Sequence, residues 1–245
     1  MATIKCKSMT FSPIEAILFD KNGTLEDSGS YLRILGHKAA RIIDAQIPGI
    51  GEPLLMAFGI DGNNLNPAGL ISVASRRETE VAAAVYIAET GRGWFECLKI
   101  ARQALVEADQ YARKTPSPLF FGSLEVLKSL STAGLKLGIL SAATTEDVRH
   151  FVSTHQLRDY LQLEMGVDAG PSKPDPVLFL TACQSLGVRP ETTLMVGDSV
   201  GDMQMARYAG AAGCIGITWT NQSNHVQGAD VVINQLHEIS ILTGN

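Results

Sequence analysis

Ile14-Glu15-Ala16-Ile17-Leu18-Phe19-Asp20-Lys21-Asn22-Gly23-Thr24 is the stretch from which the rest of this chain can be read. Residues 14–19 are mostly apolar, the run stops abruptly at the Asp20 carboxylate, and Gly23 permits a tight turn just beyond. Such a run is too short for a helix and too continuous for a half-exposed strand. It predicts a strand buried on both faces, as in a parallel sheet covered by helices. Similar runs recur at 135–140, 194–196, 214–217 and 231–233.

Helical patterns fill the intervals. Over 123–133, Leu124, Leu127 and Leu130 recur three apart, and Gly134 ends the pattern. Thr144-Thr145-Glu146-Asp147 reads as a capped helix start running into Val148, Phe151 and Val152. Pro174-Asp175-Pro176 opens a third helix, with Asp175 as its N-cap, and Gly187 closes it. A short fourth covers 203–209 before Gly210. This alternation predicts an α/β fold with a doubly wound, mostly parallel sheet.

Residues 29–115 break the rhythm. Leu32, Leu35, Ala39 and Ile42 share one face of a helix over 31–43, further helices are expected over 76–89 and 95–113, and 48–67 is rich in Gly, Pro and Asn. Thr115-Pro116-Ser117-Pro118 reads as a hinge, with Asp27 at the other crossing. The expected organisation is an α/β core of 1–28 plus 116–245 with a helical domain, 29–115, inserted after the first strand. Trp94 and Phe95 are expected to pack in the core of that insert.

The composition suits a folded protein: 245 residues are 45% hydrophobic, with a mean hydropathy of +0.11. The net charge of −5 and the absence of any Lys/Arg-rich run leave nucleic acid out as a partner. Cys6, Cys97, Cys183 and Cys214 lie far apart, which builds neither a zinc site nor a disulfide framework, so free thiols are expected. The N-terminus lacks an apolar signal region, and the longest apolar run, 81–88, falls far short of a membrane span. A soluble cytoplasmic protein, monomer or homodimer, is the expectation.

Ligands of open α/β sheets bind beyond the carboxyl ends of the strands. Four polar clusters fall there: Asp20 after the first strand, Ser141 after the next, Lys173 ahead of a helix, and Asp198 with Asp202 after Val196. Together they supply two or three carboxylates, a hydroxyl and an ammonium, the combination that phosphoryl transfer uses. Carboxylates bind Mg²⁺, the cation offsets repulsion between an anionic nucleophile and a phosphate, and an aspartate can carry the phosphoryl group as a covalent intermediate.

In Asp20-Lys21-Asn22-Gly23-Thr24, Leu137-Gly138-Ile139-Leu140-Ser141, Ser172-Lys173-Pro174-Asp175-Pro176 and Val196-Gly197-Asp198-Ser199-Val200-Gly201-Asp202, in that order, the chain resembles the haloacid dehalogenase superfamily of phosphatases. The resemblance covers essentially everything outside the insert. It implies a Rossmann-like core with a helical cap, as in phosphoglycolate-phosphatase-like members, and a small phosphorylated metabolite as substrate. Asp20 would be nucleophile and Mg²⁺ ligand, and Asn22 would lend its backbone carbonyl to the metal. Asp198 would ligate the ion, with Asp202 supporting it or Lys173. Ser141, Ala142, Lys173 and Thr24 would surround the phosphoryl group, with Thr24 orienting the residues around the nucleophile. Asp20, Asn22 and Lys173 make up the expected catalytic set.

Asn22 departs from the pattern. Family phosphatases usually carry an aspartate two residues after the nucleophile, which protonates the leaving alkoxide and later deprotonates the attacking water. An amide can hydrogen-bond but cannot exchange a proton near neutral pH. Three readings stay open: a natural enzyme whose substrate has a good leaving group or whose acid/base lies in the cap, a residue engineered to trap substrate, or a relative that binds phosphometabolites with vestigial catalysis. Transport ATPases share an Asp-Lys-Thr-Gly-Thr motif but need membrane helices. Metal-independent dehalogenases carry Ser-Asn where this chain has Gly197-Asp198. Phosphonate-cleaving relatives use a cap lysine, for which Lys38 is the candidate, although a surface role is favoured.

Overall fold

A strand buried on both faces has no polar side, and the central strands of this protein show none. The computed structural model describes residues 1–219 and 225–242. The chain forms two compact units, Met1–Asp27 with Pro118–Asn245, and Ser28–Ser117.

The first unit begins with β1 (Ala2–Cys6), β2 (Met9–Ile14) and β3 (Ala16–Phe19). The second unit follows with α1 (Gly29–Gln46), α2 (Gly51–Phe58), a two-residue hairpin of β4 (Ile60–Asp61) and β5 (Asn64–Leu65), α3 (Leu70–Val73), α4 (Arg76–Ala88) and α5 (Trp94–Ala112). The chain then returns through α6 (Ser123–Thr132), β6 (Lys136–Leu140), α7 (Thr145–Thr154), β7 (Leu163–Met165), α8 (Pro176–Leu186), β8 (Thr193–Gly197), α9 (Val200–Tyr208), β9 (Gly213–Ile217), β10 (Val231–Ile233) and β11 (Ile239–Ile241). No helix among the described residues is long and apolar enough to cross a membrane.

Six strands pair in parallel in the order β10-β9-β8-β3-β6-β7. In chain order that is the doubly wound arrangement, with β3 central and the direction of winding reversing beside it. Alternate residues of each strand face opposite sides. Ile17, Phe19, Leu137, Ile139, Leu194 and Val196 pack with Val126, Leu127 and Leu130 of α6 and Val148, Phe151 and Val152 of α7. Leu18, Leu140, Met195 and Cys214 pack with Leu178, Phe179 and Ala182 of α8 and Met203 and Met205 of α9. Four of these helices therefore cover both faces, as continuous apolar strands require.

The strand expected over 14–19 is two strands. Ile14 closes β2, which belongs to a separate antiparallel sheet of order β11-β1-β2, and Ala16 opens β3. The break lies at Glu15, whose N–H donates to Thr192 O and whose carbonyl accepts from Lys136 N. β2 is an edge strand, which tolerates Pro13 and its missing donor. Other elements escaped the sequence pattern, β7 and α2 among them. β7 is a three-residue, half-buried edge strand, and α2 hides in the Gly/Pro-rich stretch because Pro53 falls in its first turn, where no intrahelical donor is needed.

The fourth core helix starts at Val200 rather than at 203, because Ser199 and Asp202 form a capping box that adds a turn. Thr144 with Asp147, and Asp175 with Val177 N–H, cap α7 and α8 as expected. In the helical unit, α1, α2, α4 and α5 bury one cluster built on Leu35, Ile43, Leu54, Phe58, Ile87 and Leu105. Trp94 and Phe95 are not part of it. They are 42% and 85% exposed, since the buried stripe of α5 begins at Cys97 and continues through Ala101, Ala104 and Ala108. All four cysteines are free and buried.

Candidate active site

Parallel pairing fixes where the polar residues emerge. Phe19 lies level with Ile139 of β6 and Val196 of β8, and the Asp20 N–H extends the ladder by donating to Val196 O at 2.9 Å. Asp20, Ser141 and Asp198 thus leave the carboxyl ends of three adjacent strands, which neighbour one another at about 4.8 Å. After Asp20 the backbone folds into a tight turn: Lys21 O accepts from Leu25 and Glu26 N–H at 3.0 Å, and Gly23 N–H donates to Glu26 O at 2.9 Å. Gly23 adopts a φ of +75°, and a Cβ there would lie 2.0 Å from Asp198 Oδ2. Only glycine lets the turn press against that carboxylate.

Lys173 arrives from the loop ahead of α8. Its Nζ lies 2.5 Å from Asp20 Oδ1 and 2.6 Å from Asp202 Oδ1, with 5% of the side chain exposed. Asp202 is fully buried, and its other oxygen serves the helix cap, accepting from Ser199 Oγ at 2.6 Å and Ser199 N–H at 3.1 Å. Asp198, one residue before that cap, is half-buried. Carboxylate oxygens of Asp20, Asp198 and Asp202 all lie within 4.8 Å of one another.

This crowding shifts Asp20, Asp198 and Lys173. Burial raises the Asp20 carboxyl to about 6; Lys173 opposes the rise and Asp202 adds to it. Burial and repulsion from Asp20 and Asp202 push Asp198 well above the ordinary carboxylate range. Burial pulls Lys173 down, but Asp20 and Asp202 more than offset it and hold the ammonium charged. Three carboxylates meet one ammonium, so the cluster carries excess negative charge in a poorly solvated place. Hard oxygen donors with that deficit fit a divalent cation. Asp198 and the second oxygen of Asp20 are the free donors, whereas Asp20 Oδ1 is held by Lys173 and Asp202 already serves Ser199 and Lys173.

The other expected residues are found in different states. The Asn22 Oδ1 accepts from Lys21 Nζ, and that ammonium also pairs with Glu26 Oε2. Ser141 N–H donates to Met165 O at 3.1 Å, its Oγ accepts from Ala143 N–H at 3.2 Å, and Ala142 lies half-buried in the same turn. Thr24 is fully buried, and its hydroxyl has no hydrogen-bond partner among the described residues. Lys38 belongs to the helical unit, where its ammonium lies 5.0 Å from the centre of the Tyr111 ring.

The sequence pattern assigns no role to Trp219 or to the Lys21–Glu26 pair. Trp219, just after β9, donates from Nε1 to Gly23 O at 2.8 Å and stacks on Phe120 with ring centres 4.0 Å apart. Lys21 and Glu26 form a buried pair, with the ammonium 5.5 Å from the Phe151 ring. Lys21 could have been suspected from its place inside the motif; Trp219 could not, being remote in sequence from the turn that it holds.

A family model described as haloacid dehalogenase-like hydrolase matches residues 14–210, from the end of β2 to just past α9. The chain belongs to the haloacid dehalogenase-like hydrolases. Among curated relatives of this hydrolase, a phosphoglycolate phosphatase of Vibrio vulnificus is 27% identical over 86% of each chain. An N-acetylmuramic acid 6-phosphate phosphatase of Pseudomonas putida is 26% identical over 92% of this chain and 94% of its own. A crystal structure described as a predicted phosphoglycolate phosphatase from Haemophilus somnus superposes with a TM-score of 0.70 at 21% identity, covering 91% of this chain and 95% of the other. That last likeness concerns the hydrolase fold alone.

Proposed function

We infer that this hydrolase is a Mg²⁺-dependent phosphatase of a small phosphorylated metabolite, with Asp20 as its nucleophile. The observation that carries the reading is Lys173 bridging Asp20 and Asp202 beside Asp198, at the carboxyl edge of the sheet. The kinship with two phosphatases of phosphorylated metabolites supports the substrate class.

Asp20 and Asp198, with the backbone carbonyl of Asn22, would hold the cation, which when bound offsets the negative charge of both carboxylates and phosphate. Lys173 restrains one oxygen of Asp20, leaving the other to attack phosphorus. The ester P–O bond breaks, the phosphoryl group passes to Asp20, and the alkoxide leaves with the electron pair and takes a proton from water. Water then cleaves the aspartyl-phosphate, releasing inorganic phosphate and restoring the carboxylate. Ser141, the Ala142 backbone and Lys173 would hold the phosphoryl oxygens. Thr24 would order the turn. The helical unit Ser28–Ser117 takes the substrate-selecting part of a cap.

Asn22 supplies no proton to the alcohol, which favours leaving groups that depart as stable anions. The same residue favours a second reading, a phosphometabolite-binding protein with residual catalysis. The decisive experiment measures phosphate release from a panel containing 2-phosphoglycolate and N-acetylmuramic acid 6-phosphate, with Mg²⁺ and with chelator. Metal-dependent turnover that vanishes in Asp20→Asn is expected. Binding without turnover of any ester by the chain or by Asn22→Asp would establish the second reading instead.

A further inference from the structure

Asn22 stands where proton transfer would be expected, yet its side chain is not loose. A lysine ammonium only donates, so the atom of the Asn22 amide facing Lys21 Nζ is the oxygen. The amide N–H₂ then makes no hydrogen bond among the described residues. Lys21 cannot readily swing away, because Glu26 Oε2 holds the same ammonium and only 7% of the Lys21 side chain and 13% of the Glu26 side chain are exposed. Glu26 is in turn fixed by its backbone, which donates to Lys21 O and accepts from Gly23 N–H. The Phe151 ring closes the side of the ammonium at 5.5 Å. Turning the amide over would set its N–H₂ against a buried ammonium.

We propose that Lys21, locked by Glu26, is a positioning residue that fixes Asn22 as an N–H donor to the leaving-group oxygen of the substrate. The proposal rests on the phosphatase reading of the site. Asn22 then stabilises negative charge as it develops on that oxygen, and the group departs as an anion that takes its proton from water afterwards. The balance is that of a phosphoryl transfer: the Asp20–P bond forms, the P–O bond breaks, and no proton leaves the protein. The substrates so favoured are phosphates of weakly basic leaving groups, such as acyl or enol phosphates.

The test is a leaving-group series at one pH with saturating Mg²⁺, from dinitrophenyl through nitrophenyl to phenyl phosphate. Asn22→Ala is expected to lose activity progressively along the series, reaching about 10²-fold on the phenyl ester, the size of effect seen when one preorganised donor is removed. Lys21→Met alone would strand a buried Glu26, so the paired variant Lys21→Met/Glu26→Gln removes both charges. It is expected to steepen the dependence in the same direction with Asn22 still present; Glu26→Gln alone, which removes the countercharge of the ammonium but keeps an oxygen to accept from it, should do so more weakly and decides the matter if the paired variant does not fold. A slope unchanged in Asn22→Ala overturns the donor role. A slope steepened by Asn22→Ala but untouched in the folded Lys21/Glu26 variants overturns the positioning role. If the unaltered chain turns over no ester, the phosphatase reading itself has failed.

Discussion

Replacing Gly23 by alanine places a methyl group where the turn meets Asp198, and its cost can be divided by a matched control. Gly23 has a φ of +75° and Gly122 one of +86°, so an alanine at either carries the left-handed backbone penalty, about 1–2 kcal/mol. At Gly122 nothing lies within 4 Å of the added Cβ, so the penalty stands alone. At Gly23 the Cβ would lie 2.0 Å from Asp198 Oδ2 and 2.7 Å from Cγ. Favourable contacts between carbons begin near 3.5 Å, so turn and carboxylate must separate by about 1 Å or more. Displacement of that size near reacting groups can cost about 10²-fold in rate. Gly122→Ala should therefore lower the melting temperature by roughly 2–8 °C and leave Mg²⁺ binding intact. Gly23→Ala should melt lower still, bind Mg²⁺ more weakly by calorimetric titration, and lose about 10²-fold of its p-nitrophenyl phosphate turnover. Equal melting of the two variants, with wild-type metal binding and turnover in Gly23→Ala, would refute the packing of the turn against Asp198.

Three further perturbations read the same cluster. Lys173→Met leaves two buried carboxylates without their partner and should destabilise the metal-free chain by about 3–5 kcal/mol in urea unfolding, with part of the loss recovered on adding Mg²⁺. Trp219→Phe keeps the stack on Phe120 but removes the hydrogen bond to Gly23 O, so a loss of about 0.5–1.5 kcal/mol is expected; unchanged stability would show that the bond holds nothing. Burial and its neighbours hold Asp20 at about 6 against an ordinary 3.8, so between these values the folded chain binds more protons than the unfolded one. Metal-free protein should therefore lose stability relative to Asp20→Asn as pH rises through that window, and a flat difference in unfolding free energy across it would contradict the shift.

The parts of this fold legible in the sequence are those whose environment is uniform. β3, β6, β8 and β9 are buried on both faces, so an unbroken apolar run announces each. β1 and β2 have one exposed face, and their Thr, Lys and Ser positions dilute the signal until the sheet itself is seen. The site was legible for a related reason. Asp20 follows a strand, Lys173 precedes a helix and Asp202 lies in the first turn of another, so the order of elements brings them to one edge, and Lys173 lies 153 residues from the carboxylate that it touches. What escaped were contacts made by geometry alone. Nothing local marks Trp219 as the donor to a turn 196 residues earlier, and the Lys21–Glu26 pair depends on how tightly residues 21–26 fold back.

The segment from Gly197 to Asp202 places two carboxylates of one charge side by side and gives them different work. Asp198 precedes the N-cap of α9 and Asp202 occupies its first turn, where the positive end of the helix favours both. Ser199 then separates their roles. By engaging one oxygen of Asp202 through hydroxyl and N–H, it turns the other towards Lys173, so Asp202 is committed before any ligand arrives. Asp198 has no such cap and stays available. Gly197 is needed for this arrangement, since a Cβ there would lie 2.4 Å from Asp202 Cγ. Lys173, held by Asp202, in turn restrains one oxygen of Asp20. The capping box is therefore the first link of a chain of contacts that ends at Asp20, which is why a helix start written in the sequence also sets the orientation of the carboxylate proposed as nucleophile.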